Sequence, residues 1–121
     1  MKNILILDDD VTFVETMKAS LDSAKYSVTT AGDGMEGLKK MEELKPDLVL
    51  LDIKMPKMDG MEFLKQINEK YGEGKTPVLI TSNLSALEQI GEGVALGIRG
   101  YFIKSNESLK SIIGMIDKIF A

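Results

Sequence analysis

The chain has 121 residues, a formal net charge of −4, and neither cysteine nor histidine. That length suits one domain over residues 1–121, and the missing residue types exclude disulfides, thiolate or imidazole metal sites and histidine acid–base chemistry. The acidic balance argues against a nucleic-acid surface, no apolar run approaches the ~20 residues of a membrane span, and the expectation is a cytoplasmic domain.

Ile4, Leu5, Ile6 and Leu7 predict a first strand over 4–7, closed by Asp8, Asp9 and Asp10. Phe13, Met17, Leu21 and Ala24 recur at helical spacing and predict a first helix. Residues 26–30 alternate in polarity and read as a half-exposed edge strand. Asp33 and Glu36 have capping-box spacing ahead of Leu38, Met41 and Leu44, a second helix that Pro46 stops. A second apolar run, 48–51, predicts a strand closed by Asp52. Asp59 and Glu62 cap a third helix, marked by Leu64, Ile67 and Tyr71. The strand predicted over 78–80 is closed by Thr81, and the one over 101–103 by Lys104. Between them, Ser85 and Glu88 open a helix over 85–96. Gly91 and Gly93 make it weak, each costing about 1 kcal/mol relative to Ala in a helix interior. Residues 109–120 carry the strongest helical stripe, on Leu109, Ile112, Ile113, Ile116, Ile119 and Phe120.

Runs this continuously apolar fit strands buried on both faces. Their alternation with helices predicts a doubly wound α/β fold around a parallel sheet. Parallel strands end on one rim, and in open α/β sheets ligands bind at that rim. Here it gathers Asp8, Asp9, Asp52, Thr81 and Lys104. Crowded carboxylates repel one another unless a cation joins them. Mg²⁺ takes carboxylate oxygens and usually brings phosphate with it. A carboxylate that attacks phosphorus needs in-line placement and charge neutralisation rather than a strong base. The rim therefore predicts a Mg²⁺-dependent phosphoryl site.

The acidic pair after strand one, the lone Asp52 followed by Met55-Pro56 and Met58-Asp59-Gly60, Thr81 after strand four and Lys104 after strand five form an ordered set. In these residues, and over its whole length, the chain resembles a CheY-like response-regulator receiver domain. The resemblance implies a five-stranded parallel sheet in the order 2-1-3-4-5 flanked by five helices. It implies a signalling switch of a two-component phosphorelay, whose chemistry is confined to its own aspartyl phosphorylation and dephosphorylation. Asp52 is then the phosphoacceptor. Mg²⁺ is held by Asp9, Asp52 and the backbone carbonyl of Lys54, with Asp8 acting through a bound water. Thr81 and Lys104 meet phosphoryl oxygens, and Tyr101 is the aromatic switch residue. The implied partners are a sensor histidine kinase or phosphotransfer protein, and a downstream protein that reads the face of the fourth and fifth helices with strand five. The implied state is a monomer or a phosphorylation-dependent dimer.

The family usually has proline after the lysine, where this chain has Ser105. A cis peptide before serine costs roughly 2.5–4 kcal/mol, so either the bond is trans or other contacts offset it. Lys54 and Asn83 flank the path of an attacking water and leave the phosphoryl lifetime open. Asp10, Asp33 and Asp59 also suit simple helix caps. Two other functions fit part of the chain. Asp8-Asp9-Asp10-Val11-Thr12 matches the D-x-D-x-T motif of haloacid-dehalogenase-type phosphatases, with Asp8 as nucleophile and Asp10 as general acid/base. The other is a receiver-like interaction module that is never phosphorylated.

Overall fold

Strands β1 (Lys2–Leu7), β2 (Tyr26–Ala31), β3 (Leu48–Leu51), β4 (Val78–Ser82) and β5 (Gly100–Ile103) form one parallel sheet in the order β2-β1-β3-β4-β5. The computed structural model describes residues 1–83, 91, 94–105 and 108–121. Helices α1 (Val11–Ser20), α2 (Gly34–Leu44), α3 (Gly60–Tyr71) and α4 (Leu109–Ile119) flank the sheet. The helix expected over 85–96, and with it the cap at Ser85, falls largely outside the described residues.

The pleat sorts the apolar runs onto two faces. Leu5, Leu7, Val49, Leu51 and Ile80 face α2 and α3, where Met41, Phe63, Leu64 and Ile67 complete one core layer. Ile4, Ile6, Leu48, Leu50 and Leu79 face the other way, onto Val14 and Met17 of α1 and Ile112 and Ile116 of α4. Burying each Leu or Ile side chain contributes about 1.5–3 kcal/mol, so the central strands anchor the fold. Strand β2 is the edge beyond β1, with Tyr26 and Ala31 buried and the residues between them exposed or partly exposed.

Helix starts follow their capping residues. Asp10, Asp33, Asp59 and Ser108 each accept a backbone N–H three residues on. The first helix is shorter than expected. It stops at Ser20, and Ala24 lies in a turn rather than on the apolar stripe. Asp22 causes this: its carboxylate accepts the Ala24 N–H at 2.9 Å and its carbonyl accepts the Lys25 N–H at 2.9 Å. Four strands, β1, β2, β4 and β5, are longer than expected, and the extension of β4 through Ser82 matters for the site.

The chain leaves β1 toward β2 on one side, while β3 returns on the other. The order therefore reverses at the carboxyl ends of β1 and β3, where a doubly wound sheet opens a crevice. Asp8 and Asp52 stand at that point.

Candidate functional site

Asp8 follows β1 directly, and its N–H donates to Ala31 O at 3.0 Å. Its side chain is buried. Oδ1 accepts the Asp10 N–H at 2.9 Å. Oδ2 lies 2.7 Å from Lys104 Nζ, yet it has no hydrogen-bond partner. The contact is a short ion pair, and the same ammonium stands 4.0 Å from Asp10 and Asp52.

Asp52 follows β3 and is equally buried. Its N–H donates to Leu7 O at 2.9 Å, which ties the two strand ends together. The chain then turns through the Met55–Gly60 loop, where Met55 and Met58 pack against the core. Gly60 opens α3 directly beneath Asp52. A Cβ at Gly60 would lie 2.3 Å from the Asp52 carbonyl oxygen, so only glycine allows this approach.

Lys104 follows β5, and its N–H donates to Ser82 O at 2.8 Å. Its side chain is only 11% exposed and reaches 4.0 Å from both Asp52 Oδ2 and Asp10 Oδ2. The Phe13 ring, with its centroid 4.5 Å from Nζ, covers the ammonium from α1. No peptide bond among the described residues is cis, so the Lys104–Ser105 link is trans and the lysine still reaches the rim.

One oxygen from each of Asp8, Asp9 and Asp52 falls within 4.8 Å of the others, with Asp9 on the solvent side. The electrostatics are strained. Burial, reinforced by the Asp8 charge, pushes the Asp52 carboxyl up to about 7, against the pull of Lys104 and a hydrogen bond from Ser82. Burial likewise raises Asp8, with Lys104 opposing. One ammonium does not neutralise three carboxylates. The all-oxygen donor set and the excess negative charge suit a hard metal ion at this cluster.

The remaining predicted residues divide. Thr81 is buried at the end of β4 and makes no hydrogen bond to Asp52. Lys54 is exposed in the loop after Asp52. Tyr101 lies on β5 beside Ile80 of β4 and is 50% exposed. Asp10 is the N-cap of α1, accepting the Phe13 N–H at 3.2 Å.

Two residues of the site were not predicted. Ser82, which follows the predicted Thr81, is fully buried and donates its hydroxyl to Asp52 Oδ1 at 3.3 Å. Phe13, read as helix core, lies over Lys104. The sequence holds no separate signal for either. A serine after a threonine reads as a turn, and an aromatic residue four before Met17 reads as core.

The response regulator receiver domain family matches residues 4–116. The chemotaxis protein CheY of Listeria monocytogenes is 36% identical over 102 residues, covering 83% of this chain and 84% of that protein. The transcriptional regulatory protein YdfI of Bacillus subtilis is 34% identical over 110 residues, covering 89% of this chain and 50% of that protein. The chain spans half or less of the length of four curated relatives it matches. Among solved structures, the Francisella response regulator 1452 receiver domain superposes with a TM-score of 0.86 at 28% identity, covering 99% of this chain and 97% of that one. The strand order, the acidic rim and these likenesses agree: the chain belongs to the response regulator receiver domains, the phosphorylation-activated switches of two-component signalling.

Proposed function

We propose that Asp52 accepts a phosphoryl group from the phosphohistidine of a sensor kinase or phosphotransfer protein, and that this switches the surface formed by residues 85–96, β5 and α4. The observation that supports this most directly is the setting of Asp52. It is a buried carboxylate at the reversal of strand order, 4.0 Å from an ammonium and within a cluster of three carboxylates. Asp9, Asp52 and the Lys54 carbonyl would hold Mg²⁺ directly, and Asp8 would hold it through water; bound there, the ion would supply the positive charge that offsets the carboxylates and the phosphoryl oxygens.

The chain's own residues do the rest. The rim places the Asp52 carboxylate for in-line attack on phosphorus. Lys104 pairs with one phosphoryl oxygen, and the Thr81 hydroxyl moves in to donate to another. Tyr101, free on one side, takes up the space that Thr81 vacates. A downstream protein then reads the altered face, and this domain works in the cytoplasm as a monomer or a phosphorylation-dependent dimer. The domain over 1–121 catalyses only its own phosphorylation and dephosphorylation and does not bind nucleic acid.

Acetyl phosphate with Mg²⁺ tests this reading. One acid-stable, base-labile phosphoryl group is expected, absent from Asp52→Asn and only reduced in Asp8→Asn. Labelling that Asp8→Asn abolishes and Asp52→Asn spares would make Asp8 the nucleophile, as the phosphatase reading requires.

A further inference from the structure

The backbone of Asp52 is held on two sides. Its N–H donates to Leu7 O at 2.9 Å, and Gly60 packs against its carbonyl. The side chain keeps two torsions of its own. The Ser82 hydroxyl restrains them, donating to Asp52 Oδ1 at 3.3 Å, and the neighbouring Asp8 carboxyl is the other side chain that bonds to Asp52. Lys104 does not do this. Its ammonium is 2.7 Å from Asp8 Oδ2 and 4.0 Å from Asp52 Oδ2. Ser82 is fully buried, so its hydroxyl has no bulk water to turn to. It sits on a strand end that is itself fixed, because Ser82 O accepts the Lys104 N–H at 2.8 Å.

We propose that Ser82 is a positioning residue for phosphoryl transfer to Asp52, its hydroxyl fixing the rotation of the carboxylate before the donor arrives. The inference rests on Asp52 being the acceptor. With acetyl phosphate, a carboxylate oxygen gives an electron pair to phosphorus. The bond from phosphorus to the bridging oxygen breaks, and acetate leaves with that pair. No proton moves, and Ser82 keeps its hydrogen throughout. The hydroxyl contributes alignment, which transfer in line depends on. A bond of this length is at the weak end of the range, so its loss slows transfer modestly, by about five- to tenfold.

The test compares the full chain with Ser82→Ala, Ser82→Thr and Asp52→Asn. Phosphorylation by acetyl phosphate is followed by intact mass, over a Mg²⁺ titration. Ser82→Ala should be about five- to tenfold slower at saturating Mg²⁺ with its Mg²⁺ half-saturation unmoved. Ser82→Thr keeps a hydroxyl and should stay within about twofold of the parent. A parental or faster rate in Ser82→Ala overturns the inference. So does a Thr variant as slow as the Ala variant, or a rate loss accounted for entirely by weaker Mg²⁺ binding. Phosphorylation of Asp52→Asn would instead remove the acceptor reading, which separates the two failures.

Discussion

Lys104 Nζ lies 2.7 Å from Asp8 Oδ2 and 4.0 Å from Asp52 Oδ2, so the ammonium is held by the residue at the end of β1 rather than by the one at the end of β3. Only 11% of its side chain is exposed, and it is the nearest positive charge to two buried carboxylates. Removing one partner of such a group strands the others, at a cost of about 3–5 kcal/mol. Lys104→Met should therefore lose about 3 kcal/mol in urea unfolding without metal, and recover much of it in millimolar Mg²⁺. An unchanged midpoint without metal would show that the ion pair carries little of the local stability.

The raised carboxyls set a pH dependence with a definite sign. Asp52 ionises at about 7 in the fold but at about 3.9 in the unfolded chain. Its contribution to stability is fully present below about pH 4 and is lost as pH rises through about 7. Asp8 is raised too and acts in the same direction. Without metal, the urea midpoint should fall between about pH 5 and about pH 8, and millimolar Mg²⁺ should reduce the fall. Asp52→Asn should exceed the parent at about pH 8 by on the order of 1–3 kcal/mol, with the gap closing near pH 5. A parent as stable as the variant at pH 8 would contradict the strained resting site.

Gly60→Ala places a methyl 2.3 Å from the Asp52 carbonyl oxygen, which is backbone and cannot rotate away. The expected loss is about 2–3 kcal/mol, with labelling of Asp52 strongly reduced because the acceptor itself is displaced. Thermal melts and intact mass after acetyl phosphate treatment check both. A variant that melts and labels like the parent would mean that α3 moves away at little cost.

Asp10 offers a cleaner separation of roles. As the N-cap of α1, its replacement in Asp10→Ala should cost about 1 kcal/mol of stability. Labelling should stay within a few-fold of the parent. Were Asp10 a general acid, the same change would cost about 10²–10⁴ in rate, and a rate assay distinguishes the two outcomes.

Switching predicts a gradient across the sheet. Thr81 and Phe102 are register partners, as are Ile80 and the half-exposed Tyr101. A beryllofluoride phosphoryl mimic should shift NMR signals from residues 82–103 more than those from 26–44. Changes confined to the neighbours of Asp52 would leave a chain that holds phosphate without switching.

Much of this was legible in the sequence, for identifiable reasons. Buried parallel strands must be apolar on both faces, so Ile4 to Leu7 and Leu48 to Leu51 stand out and point to Asp8 and Asp52 at their ends. The cap residues Asp33 and Asp59 were readable because a carboxylate bonding an N–H three residues on is a local event. What escaped depends on contacts distant in sequence or on competing local ones. The aim of Lys104 toward Asp8 is set by the packing of β5 and by Phe13, ninety-one positions earlier in the chain. Ser82 gains its role only because β4 runs on and brings it beside a residue thirty positions away. Ala24 kept the helical spacing, but Asp22 turned the chain first.

The clamp on Asp52 acts on its backbone and not on its side chain. On its β1 side, the Asp52 N–H is bonded to Leu7, and beneath it α3 is seated without the clearance of even one methyl group. On its β4 side, the carboxylate itself meets the Ser82 hydroxyl at 3.3 Å. The freedom left at the acceptor is therefore rotational: the carboxylate can turn about its own torsions while the backbone that carries it stays seated on β1 and α3.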